Sequence, residues 1–299
     1  MNRALIFDIE GTTTSLAFVK ETLFPYAEAH LDAFLDTHGE RPDVAAVLRE
    51  VRRFGAAQQR VETPPAAEAP TPGGATPSTQ PLDTAPSPDP AEPPSDSAAS
   101  AAEAPRGAPS DAAAPRDAGA ADEGEGEAAS LDPRALLKAW MAADVKVTPL
   151  KTLQGLIWEA GYASGELRGH LYDEVAPVVR SLCERGYRLA IFSSGSVAAQ
   201  RLLFGHSVAG DLTPYIEAYF DTRTGAKGEA VSYKAIARAL GLPPASCAFF
   251  SDIASELRGA DAAGMRSAQL VRPGTTPAPG QTHLSDFQAL NAWVSAHFA

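Results

Sequence analysis

Two cysteines among 299 residues, Cys183 and Cys247, are too few for a disulfide scaffold. They lie in the strings SLCERG and SCAFF, without CxxC spacing, so two reduced, buried thiols are expected. No apolar run approaches the ~18 residues of a membrane span. The opening MNRALIFD carries no signal-peptide pattern, which points to a cytoplasmic protein. No basic stripe with interleaved aromatics is present, so nucleic acid is not an expected partner. No GxGxxG or Walker string follows an apolar run, which removes the usual nucleotide loops.

Large apolar side chains are scarcest between residues 61 and 130, where only Val61 and Leu82 occur. The same stretch holds 14 of the 25 prolines, and Ala, Ser, Thr and Gly fill most of the rest. Such a segment cannot bury enough surface to offset its chain entropy and is predicted to be disordered. It also carries 13 acidic and 2 basic residues, so the remainder is nearly neutral, with 24 acidic and 23 basic. The formal charge of −12 therefore belongs to this insertion and says little about ligands of the folded part. About 230 residues remain, enough for one substantial core and a smaller companion.

What is present divides into two patterns. Ala4–Phe7 is a short apolar run ending in Asp8, predicted as a buried strand. Residues 16–37 show helical spacing (Leu16, Val19, Leu23, Ala27, Leu31, Phe34), interrupted near Pro25. Residues 43–58 are predicted helical, with Asp43 as N-cap, as are Ala135–Ala143 after Asp132-Pro133 and Pro149–Glu159. From residue 174 helices and strands alternate: strands at Arg188–Phe192, Ala218–Phe220, Cys247–Phe250 and Arg266–Val271, with helices between them. That alternation predicts an α/β fold with a Rossmann-like parallel sheet. The core comprises residues 1–14 and 175–299; a helical cap of residues 15–174 is inserted after the first strand and carries the Pro/Ala-rich acidic insertion.

Three apolar strands end in polar clusters: Asp8-Ile9-Glu10-Gly11-Thr12-Thr13, Ser193-Ser194-Gly195-Ser196 and Ser251-Asp252. Ligands gather at the carboxyl ends of such strands, and carboxylates buried there need a compensating cation. Ser193 and Ser194 precede a predicted helix, where hydroxyls and N–H groups make an anion site or simply a cap. Glu256, one turn past Asp252, could orient a metal-bound water or begin a helix. The six histidines show no ligand spacing and are predicted as surface or core filler. Trp158 is predicted as core.

These clusters, with a later lysine, resemble the four motifs of the haloacid-dehalogenase superfamily. The stretches FDIEGTTTSLAFVKETLFPYA, KVTPLKTLQGLIWEAGY, GELRGHLYDEV, IFSSGSVAAQRLLFGHS and YFDTRTGAKGEAVSYKAIA resemble the enolase–phosphatases of methionine salvage over most of the chain outside 61–130. The resemblance implies that Asp8 is a nucleophile forming an aspartyl-phosphate, with Glu10 where most superfamily phosphatases have an acid–base Asp. It assigns phosphate binding to Thr12, Ser193, Ser194 and Lys227, and preferentially makes Lys227, rather than Lys234, the neutraliser of the phosphoaspartate. Asp8, Glu10 (by side chain or backbone carbonyl) and Asp252 would surround Mg²⁺. The implied reaction takes a diketone phosphate to acireductone plus phosphate, performed by a monomer. A general Mg²⁺-dependent phosphomonoesterase and a non-catalytic protein working through its acidic insertion remain the alternatives.

Overall fold

The computed structural model describes residues 2–62 and 130–298. The expectation of disorder for 61–130 lies outside these residues, apart from the insertion's ends; its first two residues continue a helix. Among the described residues, no helix is long and apolar enough to cross a membrane.

Six parallel strands form one sheet: β1 (Ala4–Phe7), β2 (Arg188–Phe192), β3 (Ala218–Phe220), β4 (Cys247–Ser251), β5 (Arg266–Leu270) and β6 (His283–Leu284), in the order β3-β2-β1-β4-β5-β6. Central strands of such a sheet are covered on both faces, which is why β1, β2 and β4 read as unbroken apolar runs. Side chains alternate between two cores. Leu5 and Phe7 join Leu189, Ile191 and Phe250 on one side, while Ala4 and Ile6 join Phe192 and Phe249 on the other. Strand order reverses between β1 and β4, whose registers pair Phe7 with Phe250. A crevice forms at that reversal, so Asp8 and Asp252 emerge side by side at its mouth.

The helical half begins with α1 (Leu16–Phe18) and a π-helical turn, Val19–Leu23, before α2 (Phe24–His38). The predicted interruption at Pro25 is thus no break. Pro25 sits in the first turn of α2, where its missing N–H costs nothing, and the wide turn ahead closes with Phe24 N–H donating to the Val19 carbonyl. Helices α3 (Pro42–Glu62), α4 (Pro133–Ala142) and α5 (Thr148–Ser164) follow. Asp43 is not an N-cap: α3 starts at Pro42, and Asp43 pairs with Arg41 at 2.7 Å. Ala27, Leu31 and Phe34 of α2 share a core with Val44 and Val51 of α3, Leu137 and Trp140 of α4, and Leu153 and Ile157 of α5. Phe18, Val19, Leu23, Tyr162 and Leu167 belong instead to the apolar cluster beneath the sheet, so both connections between the halves are rooted in the α/β core.

The rest alternates as predicted: α6 (Val175–Glu184), α7 (Val197–Gly205), α8 (Ala230–Ala239), α9 (Ala254–Ala262) and α10 (Phe287–His297). The two-residue β6 is too short to register as a pattern in the sequence. Both cysteines are free thiols, but Cys183 is only half-buried, because it stands at the edge of α6's buried face.

Candidate active site

Each element of the site is held by its own loop chemistry. Asp8 extends β1 by one rung, its N–H donating to the Phe250 carbonyl at 2.9 Å, and its Oδ1 accepts the Ile9 N–H at 2.8 Å. The chain then turns tightly, with the N–H groups of Thr12, Thr13 and Thr14 all directed at the Ile9 carbonyl (3.2, 2.9 and 3.0 Å). Gly11 makes the turn possible. Its φ is +70°, and a Cβ there would lie 2.3 Å from Asp252 Oδ2. The loop after Asp8 and Asp252 are therefore in contact only because position 11 has no side chain.

Ser193 is buried after β2 and its Oγ accepts the Gly195 N–H at 3.2 Å, while Ser194 is exposed at the cavity. Capping of α7 falls to Ser196, whose hydroxyl accepts the Ala199 N–H, so neither Ser193 nor Ser194 is used as the cap. Gln200 reaches back to the Gly195 and Phe220 carbonyls (2.7 and 2.9 Å) and fixes this loop. The lysine loop is tied down twice: Ser232 donates to the Ala226 carbonyl at 2.7 Å, and the buried Tyr233 hydroxyl donates to the Lys227 carbonyl at 2.6 Å. Lys227 Nζ thereby reaches Asp8 Oδ1 at 2.6 Å and Glu256 Oε2 at 2.7 Å. Ser251 Oγ lies 2.8 Å from Glu256 Oε2 and 3.3 Å from Asp8 Oδ2.

Four carboxylates, Asp8, Glu10, Asp252 and Glu256, line one cavity with a single lysine. Burial, reinforced by the charge of Asp8, pushes the Asp252 carboxyl up to about 6 and that of Glu256 to about 7, and raises Glu10 as well. Burial pulls Lys227 down, but its pairs with Asp8 and Glu256 outweigh this and leave it above the ordinary lysine value. One cation is too few for these acids. Asp252 Oδ1 is buried and has no hydrogen-bond partner, a cost that an additional cation would remove. Among the described residues no three His, Cys, Asp or Glu side chains form a metal cage, so an ion here would complete its shell with backbone oxygen, substrate and water.

Asp8, Glu10, Ser193, Ser194, Lys227 and Asp252 all line this cavity, together with Glu256. Thr12 does not; it is fully buried, its hydroxyl has no partner, and its carbonyl accepts from Arg272 Nη2 at 3.1 Å. Lys234 is exposed on α8 and does not line the cavity. Trp158 is half-buried and donates from Nε1 to the Leu23 carbonyl at 2.8 Å. Arg272, outside the predicted site residues, is buried, pairs with Glu174 at 2.6 Å, lies 3.9 Å over the Tyr172 ring and donates to the Thr12 carbonyl, clamping the 172–174 segment to the loop after Asp8. His170, predicted as filler, instead accepts the Ser15 N–H at Nδ1 (3.4 Å), and the same nitrogen lies 2.8 Å from Thr14 Oγ1. Burial lowers the His170 pKa, against the opposing charge of Asp173. Neither residue has a local sequence signal, since each acts on a segment over 150 positions away.

The haloacid dehalogenase-like hydrolase family matches residues 2–264. The chain is 40% identical over 275 residues to enolase-phosphatase E1 of Sorangium cellulosum, covering 91% of this chain and 89% of that one. It is 38% identical over 293 residues to enolase-phosphatase E1 of Methylococcus capsulatus, covering 97% and 98%. Among solved structures, the UTR4 protein of Saccharomyces cerevisiae superposes with a TM-score of 0.61 at 26% identity, over 96% of this chain and 98% of that one.

Proposed function

Because the chain belongs to the enolase-phosphatase E1 family of haloacid dehalogenase-like hydrolases, we propose that it enolises 2,3-diketo-5-methylthiopentyl-1-phosphate and then hydrolyses the phosphate ester to give acireductone. The observation that carries this reading is the 2.6 Å pair between Lys227 and Asp8 in a cavity shared with Ser193, Ser194, Glu10 and Asp252.

In the phosphatase half, an Asp8 oxygen attacks phosphorus as the bond from phosphorus to the ester oxygen breaks. Lys227 offsets the charge of Asp8 and of the transferring phosphoryl group. The hydroxyls of Ser193 and Ser194, with the N-terminus of α7, hold the remaining phosphoryl oxygens. Glu10, whose carboxyl is raised by burial, gives its proton to the leaving oxygen and then takes one from the water that cleaves the aspartyl-phosphate. Thr12 acts from beneath, through the turn that Arg272 holds.

The donor set suits a small, hard cation, and in this reading the Asp8 and Asp252 carboxylates, with the backbone carbonyl of Glu10, would hold Mg²⁺. When bound, Mg²⁺ supplies positive charge that polarises phosphoryl and carbonyl oxygens. The helical half, within residues 15–174, is the cap that closes over the site and excludes water. The protein acts as a cytoplasmic monomer on a small phosphate ester, without nucleic acid or membrane. The test is incubation with the diketone phosphate and Mg²⁺, following enol absorbance and free phosphate separately. Phosphate without an enol phase would reduce the protein to a general phosphomonoesterase; neither signal would refute the reading.

A further inference from the structure

Strand β5 ends in none of the polar clusters that form the cavity, yet two buried polar side chains from β5 and the loop after it grip the backbone of two of them. Gln269, 1% exposed, stands in β5 opposite Ser251. A buried amide between apolar layers is costly unless it is bonded, and this one is used at both ends. Its Nε2 donates to the Asp252 carbonyl at 2.9 Å and to the Thr276 carbonyl at 3.0 Å, and its Oε1 accepts the Ala278 N–H at 2.8 Å. Three residues on, Arg272 Nη2 donates to the Thr12 carbonyl at 3.1 Å while Nη1 pairs with Glu174 at 2.6 Å. A guanidinium fork serves two acceptors from fixed directions, which the point charge of a lysine does not. The two gripped points also touch each other, because Gly11, next to Thr12, lies against Asp252. Asp252 Oδ1 has no hydrogen-bond partner, so the main chain and that contact set its place. One strand therefore braces both sides of the contact.

We propose that Gln269 and Arg272 are positioning residues for the cation site, keeping Asp252 and the turn after Asp8 in the contact from which Asp8, the Glu10 carbonyl and Asp252 share one ion. The inference rests on the Mg²⁺ reading above and deepens it. Neither side chain lines the cavity, so both act through the main-chain carbonyls of Asp252 and Thr12. A brace for the fold alone would show in stability. A brace for the ligands shows in the affinity of the folded protein for the ion, and groups behind metal ligands typically carry about 10- to 100-fold of that affinity. The pair with Glu174 is separable from this role, since glutamine at 174 keeps an oxygen for Nη1 and leaves the arm to Thr12 in place.

The experiment titrates the full, metal-free chain with Mn²⁺, which shares the oxygen ligands of Mg²⁺, and follows the free ion by electron paramagnetic resonance. Metal-free Tm and near-UV circular dichroism are recorded alongside. Arg272→Lys keeps the charge and loses the second arm; Gln269→Met keeps the bulk and loses the bonds to Asp252 and Thr276. Each should raise the Kd for Mn²⁺ at least about tenfold over the unaltered protein, and Glu174→Gln should raise it less than that. A smaller rise in a folded Arg272→Lys or Gln269→Met, whatever its Tm, would overturn the proposal, as would a tenfold rise in Glu174→Gln. Where one of the two variants does not fold, the other decides. Failure of the unaltered protein to take up Mn²⁺ would instead overturn the cation reading, and this inference with it.

Discussion

Replacing Lys227 by Met keeps the length of the side chain and removes its charge. The ammonium lies 2.6 Å from Asp8 and 2.7 Å from Glu256, with 12% of the side chain exposed. At that separation and an effective dielectric of ~20, the Asp8 pair alone is worth about 6 kcal/mol before desolvation is subtracted. Breaking a buried pair usually costs about 3–5 kcal/mol, because the surviving charge is stranded. Here the loss is limited, since Glu256, already at about 7, takes up a proton once the lysine is gone. We therefore expect Lys227→Met to lower unfolding stability by about 3 kcal/mol at pH 7.5 and by less at pH 5. In the proposed mechanism the same charge faces the transferring phosphoryl group, so kcat for phosphate release should fall about 10³-fold, roughly 4 kcal/mol of barrier. Steady-state kinetics at saturating substrate, with near-UV circular dichroism to check the fold, would measure this. Lys234→Met, on the exposed face of α8, should change stability by no more than about 0.5 kcal/mol and leave kcat near wild type. A kcat for Lys227→Met within tenfold of wild type would refute the assigned role of the pair.

Two further outcomes follow from the same geometry. Gly11→Ala should cost about 1–3 kcal/mol from its φ of +70° alone and, by driving a methyl into Asp252, should weaken Mg²⁺ binding in calorimetry; unaltered Mg²⁺ affinity would count against the contact. Glu256 has a folded-state carboxyl at about 7 against an ordinary 4.5, so its contribution to metal-free stability is full below 4.5 and is lost as pH rises through 7. Glu256→Gln should flatten the fall in Tm between those values, in part, because Asp252 at about 6 adds a fall of its own; an unchanged Tm profile would refute the assignment.

The central strands were readable because burial on both faces writes itself as a continuous apolar run, and the site was readable because each run stops at a polar cluster. Asp8, Ser193 and Asp252 share a neighbourhood for that reason: parallel strands of similar length bring their carboxyl ends to one edge. The contacts between remote segments were not readable. Arg272 and Glu174 are distant in sequence and are brought together only by the folded chain. Glu256 was left between two roles, and its actual partner, Lys227, depends on how the loop before α8 is held by Tyr233. Periodicity placed Leu16 on a buried face, since spacing alone cannot tell that the first turn of a helix overhangs a cavity.

The proposed mechanism requires Asp8 to carry the phosphoryl group. Rapid acid quench during turnover in Mg²⁺, followed by proteolysis and mass spectrometry, should recover a phosphorylated peptide with the modification on Asp8, and Asp8→Asn should give neither that peptide nor free phosphate. Steady phosphate release by Asp8→Asn, or turnover with the phosphoryl group trapped on another residue, would contradict it.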